Sequence, residues 1–235
     1  MKKIISVLMA FLALANGAVR IDSSGESVQY PIQSVDWDDG GVTIMAWGYI
    51  VNDRSSDSAF VSARGAGILN VNATRNLCIY TGSSEITTGA TVVAVGVWHH
   101  YAFTRSNQTW RAYIDGVLAV YHDQLVEPTG DPQPRFGNDN YDSWLDGRVA
   151  AGKVWLAPLS TSEIQAEMNS YSAVRTANIW SVVPMRVHTD LADQSGQGNS
   201  PSAVGTLSTE SGPPALDAVA IGRISKIHGL NLKAR

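Results

Sequence analysis

Four side chains that offer amide or carboxylate oxygens lie within five positions just past the middle of the chain: Asn138, Asp139, Asn140 and Asp142. Clustered oxygens are the ligands that Ca²⁺ prefers, so this segment is a candidate calcium site. Its spacing lacks the twelve-residue loop of helix-loop-helix calcium proteins. A plain polar turn is the alternative interpretation, because turns also use Asn and Asp. Calcium is the cofactor for which the sequence offers candidate ligands.

Aromatic residues in predicted loops form a second set of candidates. An exposed Trp or Tyr presents a flat apolar face on which a sugar ring can stack. Trp37, Tyr141 and Trp144 lie in or beside polar segments and are the candidate ligand-binding residues. The tryptophans in alternating, strand-like runs are expected in the core instead: Trp47, Trp98, Trp110 and Trp155.

The sequence contains no recognisable catalytic constellation. The Gly-x-Ser-x-Gly nucleophile motif, the His-Glu-x-x-His zinc motif and the Gly-rich phosphate loop are all absent. His99 and His100 are adjacent in a predicted strand and so face opposite sides of a sheet, which disfavours a shared metal ion. Cys78 is the single cysteine, so no internal disulfide can form, and we expect a buried thiol. These observations predict a protein that is not an enzyme.

The elements that must position these residues are short strands. Gly96 to Tyr121 alternates as three strands joined by two turns, and Asp115-Gly116 is a dipeptide typical of a tight type I′ hairpin. Further short strands at similar spacing, without helical periodicity between them, indicate a sandwich. Ser160 and Glu163 form a capping box, which predicts a helix that ends near Asn169.

Several segments in order along the chain carry a family resemblance. They are Ala18–Asp22, Val42–Trp47, Trp98–His100 with Tyr113–Val117, Leu145–Val149 with Val154-Trp155, and Pro158–Ile164. Together they resemble a laminin-G-like (LamG or pentraxin-type) domain of the concanavalin A-like lectin/glucanase superfamily, over roughly residues 18 to 171. The resemblance implies an all-β fold: a two-sheet antiparallel jelly-roll sandwich with one short helix near the C-terminal third. Glycanases of this superfamily carry paired carboxylates as Glu-x-Asp-x-Glu or a close relative, and this chain has no such run.

Three regions are expected along the 235 residues. Residues 1–18 read as a secretory signal peptide, with a basic start, an apolar run too short to cross a bilayer and cleavage candidates after Ala15 and Ala18. The alternative is that this segment stays and packs on the protein. Residues 19–214 form the sandwich, and the turn at Asp193–Asn199 predicts that the C-terminal strand lies against the N-terminal ones. Residues 215–235 form a basic-apolar tail that resembles terminal segments of phage virion proteins.

The charge and the expected fold together limit the classes of function that the sequence allows. The net charge is −4, and residues 19–214 hold all but one of the 21 acidic residues, which disfavours a nucleic-acid partner. The leading hypothesis is a secreted, non-catalytic module that recognises carbohydrate or a glycosylated surface, without a membrane span. The second is a structural or decoration protein of a virion or cell surface, whose tail docks on a partner protein. A glycan hydrolase with displaced carboxylates is the third.

Overall fold

The computed structural model describes residues 17–31, 40–54, 56–64, 67–81, 84–106, 109–123, 133–139, 143–214 and 216. Within these residues the chain forms fifteen strands: β1 (Gly17–Ile21), β2 (Ser27–Gln29), β3 (Val42–Ile50), β4 (Ser58–Arg64), β5 (Gly67–Val71), β6 (Asn76–Tyr80), β7 (Glu85–Val92), β8 (Trp98–Ser106), β9 (Thr109–Ile114), β10 (Val117–Asp123), β11 (Gln133–Phe136), β12 (Gly147–Trp155), β13 (Ile179–Val183), β14 (Ser202–Val204) and β15 (Ser208–Ser211). One helix, α1 (Thr161–Glu167), follows β12 in the described chain. Within the described residues, no helix has the length and apolar character that a bilayer crossing requires.

The strands pair into two antiparallel sheets. The helix-side sheet has eight strands in the order β10-β9-β8-β3-β12-β1-β15, with β13 also paired to β12. The opposite sheet has seven strands in the order β14-β2-β11-β4-β5-β6-β7. The predicted fold class, an all-β two-sheet jelly-roll sandwich with one short helix, is confirmed.

The core lies between the two sheets, where the inward residues of each strand meet. Phe60 of the opposite sheet stacks on Tyr101 of the helix-side sheet, with ring centroids 3.9 Å apart and planes 17° from parallel. Gly48 lies directly beneath this pair, and a Cβ there would come within 2.4 Å of the Phe60 ring. The absence of a side chain at this position therefore lets the two sheets approach through stacked rings.

The predicted meander is present as β8, β9 and β10. Asp115 and Gly116 have φ values of 50° and 73°, as a type I′ turn requires. The Asp115 carboxylate accepts hydrogen bonds from the His100 backbone N–H at 2.9 Å and from His99 Nδ1 at 2.7 Å. The turn is thus fastened to the start of β8 by the side chain of its own first residue.

The expectation that four strand tryptophans lie in the core is only partly met. Trp110 is buried between the sheets, and Trp155 is buried on the outer face of the helix-side sheet, against Leu159 and Ile164. Trp47 and Trp98 lie on that same outer face and are partly exposed. For Trp98 the prediction was wrong, because alternation identifies the two faces of a strand but not which of them faces the other sheet.

The helix and the segment after it cover part of the outer face of the helix-side sheet. The predicted capping box is present: the Ser160 side chain accepts from the Glu163 backbone N–H, and the Glu163 carboxylate accepts from the Ser160 N–H. Helix α1 ends at Glu167, close to the predicted end. Trp155 Nε1 donates to the Arg175 carbonyl at 3.0 Å, so the segment beyond the helix is also fixed to the sheet.

The C-terminal strands lie against the N-terminal ones, as the turn at Asp193–Asn199 predicts. Strand β14 pairs with β2, and β15 pairs with β1. The predicted signal peptide, residues 1–18, lies outside the described residues except for Gly17 and Ala18, which belong to β1. The predicted tail lies outside them except for Leu216, which is 7% exposed and packs with Ala151 and Tyr171. The three-part division of the chain stays a prediction.

Candidate functional site

Trp144 is the candidate aromatic residue that lies within the described residues; Trp37 and Tyr141 fall outside them. It belongs to the loop between β11 and β12. An isolated antiparallel bridge between Asn138 and Trp144 closes the base of this loop. The Leu145 N–H donates to the Gly137 carbonyl at 2.9 Å and closes the same base. The backbone thus fixes Trp144 at the rim of the sandwich, where its side chain is partly exposed.

Arg54 clamps this tryptophan from the loop between β3 and β4. Its guanidinium carbon lies 3.8 Å from the centroid of the Trp144 ring, and its Nη1 donates to the Trp144 carbonyl at 2.7 Å. The same Nη1 also donates to the Asp57 carbonyl at 3.2 Å. Burial lowers the pKa of Arg54 from its ordinary value, and the charges of Asp146 and Asp57 oppose that shift. One arginine therefore holds two loops and one aromatic ring together.

Asp57 lies beside this clamp, at the start of β4. Its Oδ2 accepts a hydrogen bond of 2.9 Å from Asn70 Nδ2, and Asn70 Oδ1 in turn accepts from Cys78 Sγ at 2.9 Å. Leu69 and Val71 face the core, so Asn70 between them faces away from it. Arg54, Asp57, Asn70, Asp139 and Trp144 are hereafter called the loop-end cluster.

Burial and, to a smaller extent, neighbouring acids act on the carboxyl group of Asp57. Burial raises the pKa of Asp57, and the neighbouring charges of Glu85 and Asp139 raise it further, while hydrogen bonds from Ala73 and Asn70 act in the opposite direction. Neighbouring negative charges destabilise the ionised form of a carboxylate such as that of Asp57. A cation placed among them would relieve that repulsion, so this part of the cluster is suited to a positively charged ligand.

The four predicted calcium ligands are divided by the limits of the described chain. Asn140 and Asp142 lie outside it, whereas Asn138 and Asp139 lie within it and are both 6% exposed. Asn138 Nδ2 donates to the Ser24 carbonyl at 2.6 Å, so its amide nitrogen is engaged in holding the protein together. Across the residues that the structure describes, no three His, Cys, Asp or Glu side chains stand close enough to hold a metal ion. The calcium site stays a prediction.

The histidines and the cysteine behave as structural residues. His99 contacts Tyr101 on the core side, and His100 contacts Trp47 on the outer side, so the pair faces opposite ways as predicted. Burial, reinforced by the nearby Lys153 charge, lowers the pKa of His100 to about 3. Burial, with the charges of Glu85 and Asp57, raises the pKa of the Cys78 thiol and keeps it protonated. A neutral buried imidazole and a neutral thiol are poorly suited to catalysis.

Sequence reasoning missed Arg54, Asp57 and Asn70. The polar segment Asn52–Ser58 reads as an ordinary loop, and nothing local indicates that its arginine reaches a tryptophan 90 positions later. A usable signal was present at Asn70, a polar residue in the apolar strand Gly67–Val71. A buried amide at such a position needs a partner, which is a reason to look for one in neighbouring loops.

Comparison with known protein families gives one match. A family model described as the concanavalin A-like lectin/glucanases superfamily matches residues 22–165. No curated protein matches the chain.

Comparison with solved structures gives neighbours in the same fold. A candidate carbohydrate-binding protein from Bacteroides ovatus superposes with a TM-score of 0.63 at 13% identity, covering 84% of this chain and 60% of that one. A heptameric SAP-like pentraxin from Limulus polyphemus gives 0.59 at 11% identity, covering 87% and 98%. A Trypanosoma rangeli sialidase gives 0.52 at 14% identity, covering 62% and 26%. The chain thus spans less than two thirds of the Bacteroides protein and about a quarter of the sialidase, and at these identities the likeness concerns the fold.

Proposed function

The chain belongs to the concanavalin A-like lectin/glucanases superfamily, and from that premise we propose that it is a non-catalytic module that binds carbohydrate at its loop-end cluster. The observation that carries the proposal is the Trp144 ring held at the rim by Arg54, 3.8 Å away, beside the acidic group around Asp57. A flat ring next to fixed polar groups is the arrangement by which proteins bind sugars, since the ring packs on C–H groups and the polar groups reach the hydroxyls. The neighbour from Bacteroides, described as a candidate carbohydrate-binding protein, supports the same class of function.

Each residue of the loop-end cluster has a distinct part in this proposal. Trp144 offers the face of its ring that Arg54 does not cover, and Arg54 fixes the orientation of the ring because it binds both the ring and the Trp144 carbonyl. Asn70 holds the Asp57 carboxylate in place through a 2.9 Å hydrogen bond. Asp57 and Asp139 then supply oxygens to sugar hydroxyls, or to a calcium ion held together with Asn138, Asn140 and Asp142. A calcium ion bound there would offer open coordination positions to pairs of sugar hydroxyls.

A glycan array tests the proposal directly. The labelled protein is applied with calcium and again with EDTA, and the same arrays receive Trp144→Ala and Trp144→Phe. Trp144→Ala is expected to weaken binding at least about tenfold because a stacking face is lost, and Trp144→Phe to keep part of it. Tyr121→Ala is the matched control, since Tyr121 is a 48% exposed aromatic on the edge strand β10 of the other sheet. Equal binding by the native protein and Trp144→Ala would show that the loop-end cluster is not the carbohydrate site.

Calcium is tested separately by thermal unfolding. A ligand that binds only the folded state raises its stability by a term that grows with ligand concentration, so a bound ion should raise the melting temperature. We expect millimolar calcium to raise it and EDTA to lower it, with Asp57→Asn insensitive to both. If EDTA leaves the melting temperature unchanged, the protein does not bind calcium. Carbohydrate binding is then tested by the glycan array alone.

The non-catalytic part of the proposal rests on the missing carboxylate pattern. Glycoside hydrolysis uses two carboxylates on either side of the scissile bond, and the sequence has no Glu-x-Asp-x-Glu run or close relative. The sialidase among the structural neighbours is an enzyme, so the proposed lack of glycosidase activity needs its own experiment. Incubation with β-glucans and with sialylated oligosaccharides is expected to release neither reducing ends nor free sialic acid.

The alternative function is a structural role on a virion or cell surface, with the tail as the docking segment. The observation that favours it is Leu216, which is buried against Ala151 and Tyr171 and so anchors the start of the tail on the folded body. Removal of residues 217–235 would abolish assembly with a partner under this alternative, whereas it would leave glycan binding intact under the leading proposal.

A further inference from the structure

Four side chains lie in one row across the helix-side sheet, at the end that helix α1 does not cover. The strand register pairs Arg20 of β1 with Arg148 of β12, Arg148 with Tyr49 of β3, and Tyr49 with Trp98 of β8. Directly paired residues on adjacent strands point to the same face. This row, Arg20–Arg148–Tyr49–Trp98, is called the cross-strand ladder. With strands about 4.8 Å apart, three steps give it a length of about 14 Å.

The planar groups of the cross-strand ladder are in contact with one another. The guanidinium carbon of Arg148 lies 4.7 Å from the centroid of the Tyr49 ring. The Tyr49 and Trp98 rings are 5.4 Å apart and inclined at 52°. A continuous strip of flat groups results, and both aromatic rings are partly exposed.

Among the residues that the structure describes, those after helix α1 cover the adjacent row of the same face but not this one. Trp47 and His100 are the next outward residues along β3 and β8, and their rings contact each other. Trp47 Nε1 donates to the Met168 carbonyl at 2.9 Å, directly after the helix, and Trp47 also packs against the cluster that contains Leu216. The described residues that pack on this face therefore reach Trp47 but not Tyr49, whereas the aromatic surface extends on to Tyr49 and Trp98.

The charges along the cross-strand ladder are already paired within the protein. Arg20 Nη2 lies 2.6 Å from Asp146 Oδ1, and Arg20 Nε lies 3.7 Å from Glu210. Arg148 Nε lies 2.5 Å from Glu210 Oε2 in an ion pair that lacks the alignment of a hydrogen bond. Two cations face two anions, so the strip has no net charge to attract a polyanion. Both arginine side chains are partly open to solvent.

We propose that the cross-strand ladder is a second carbohydrate-binding surface, which takes a short neutral oligosaccharide along the row without calcium. A neutral sugar chain matches the balanced charge, its C–H faces match the Tyr49 and Trp98 rings, and its hydroxyls match the paired Arg148, Glu210 and Asp146 groups. An apolar protein segment would need a wider apolar patch than two rings flanked by ion pairs provide. The cross-strand ladder lies on the helix-side sheet, whereas Asn70 belongs to the opposite sheet and Asp57 directly precedes a strand of it. Asp146 links the two regions, because it pairs with Arg20 and its charge also acts on Arg54.

Affinity electrophoresis in EDTA tests this surface. The native protein is run through gels that contain β-1,3-glucan, xyloglucan or galactomannan, with heparin as the polyanionic probe. At least one neutral polysaccharide is expected to retard it, and Trp98→Ala or Tyr49→Ala to weaken that retardation at least about tenfold. Trp98→Leu and Tyr49→Leu keep apolar volume without a flat face and are expected to show the same loss, which separates binding from folding.

Tyr121→Ala is the matched control: it removes an exposed aromatic from the same sheet and should retain binding in EDTA. Trp144→Ala is run in parallel, so that retardation lost with the ring of the loop-end cluster is measured separately from retardation lost at the cross-strand ladder. The proposal is overturned if no neutral polysaccharide retards the protein, or if folded Trp98→Leu and Tyr49→Leu bind as the native chain does. It is also overturned if heparin alone binds in a salt-sensitive way, or if these substitutions change only self-association in sedimentation.

Discussion

Lys153 Nζ lies 2.8 Å from Glu167 Oε2, and both side chains are only 1% exposed. Nζ also donates to the carbonyls of Glu167 and Ser172 at 2.9 Å, so the ammonium has three acceptors. Glu167 Oε1 accepts the backbone N–H groups of Val174 and Arg175 at 2.9 and 2.6 Å. One buried ion pair, with its hydrogen bonds largely satisfied, thus fastens the helix and the segment after it to the central strand β12.

Removal of one partner of this pair should be strongly destabilising. Lys153→Met leaves the Glu167 carboxylate buried without its cation, and we expect a loss of about 3–5 kcal/mol in the free energy of unfolding. Urea denaturation followed by tryptophan fluorescence measures it. Arg175→Gln is the matched control, because it breaks the exposed Arg175–Glu163 pair at 2.8 Å and should change stability by at most about 1 kcal/mol. Comparable losses for the two variants would contradict this account.

The turn at Asp193 predicts a stability that depends on pH. Burial alone would raise the pKa of Asp193, but the N–H groups of Val182, Ser195 and Asn199 and the Ser195 hydroxyl outweigh it and lower the pKa below its ordinary 3.8. A lowered pKa in the folded state gives stability that is present above 3.8 and is lost as the pH falls through the folded value.

Asp193→Asn should therefore destabilise the protein at neutral pH by about 1–3 kcal/mol, since backbone donors lose their charged acceptor. The difference from the native protein should shrink as the pH falls below 3.8. Denaturation at a series of pH values checks both statements. Asp190→Asn, at an exposed position nearby, serves as the control and should follow the native curve.

Asp57 predicts the opposite dependence. Its pKa is raised in the folded state, so the folded protein binds this proton more tightly than the unfolded chain, and stability falls as the pH rises above 3.8. Asp57→Asn should melt at a higher temperature than the native protein at neutral pH in EDTA, with the gain vanishing in acid. Asp53→Asn, which alters a 52% exposed acid of the same loop, should leave the melting temperature unchanged. A destabilised Asp57→Asn at neutral pH would show that its hydrogen bond with Asn70 outweighs the repulsion.

The position of β1 discriminates between the two predicted cleavage sites. Gly17 and Ala18 pair with Ser211 and Glu210, and Ala18 is fully buried. Cleavage after Ala15 leaves this strand whole, whereas cleavage after Ala18 removes two of its paired residues. If the chain is exported, the mass of the mature protein should correspond to a start at Asn16. A start at Val19 would contradict this, and an intact Met1 would refute the signal peptide itself.

Local signals account for what could be predicted from the sequence. The Asp115-Gly116 turn, the Ser160–Glu163 capping box and the alternation of β8 and β9 between the two faces of the sheet each depend on neighbouring residues, and each is present. Contacts between distant loops could not be predicted in this way. Arg54 and Trp144 meet because β3 and β12 are neighbours in the sheet, and the cross-strand ladder depends on a register among strands that are not consecutive in the chain. Periodicity shows which residues share a face but not which strands lie side by side.

The place of β1 has a consequence for how the protein folds. This first strand lies between β12 and β15, so its hydrogen bonds on both edges come from residues 147–149 and 208–211. When the chain is synthesised from its N-terminus, β1 has no partner on either edge until most of the protein has been made. Such distant pairings make folding slow, and they leave an apolar strand with two open edges in the meantime. Completion of the sandwich is therefore a late event that waits for the last strand, and a chain that ends before Ser208 would keep one edge of β1 open.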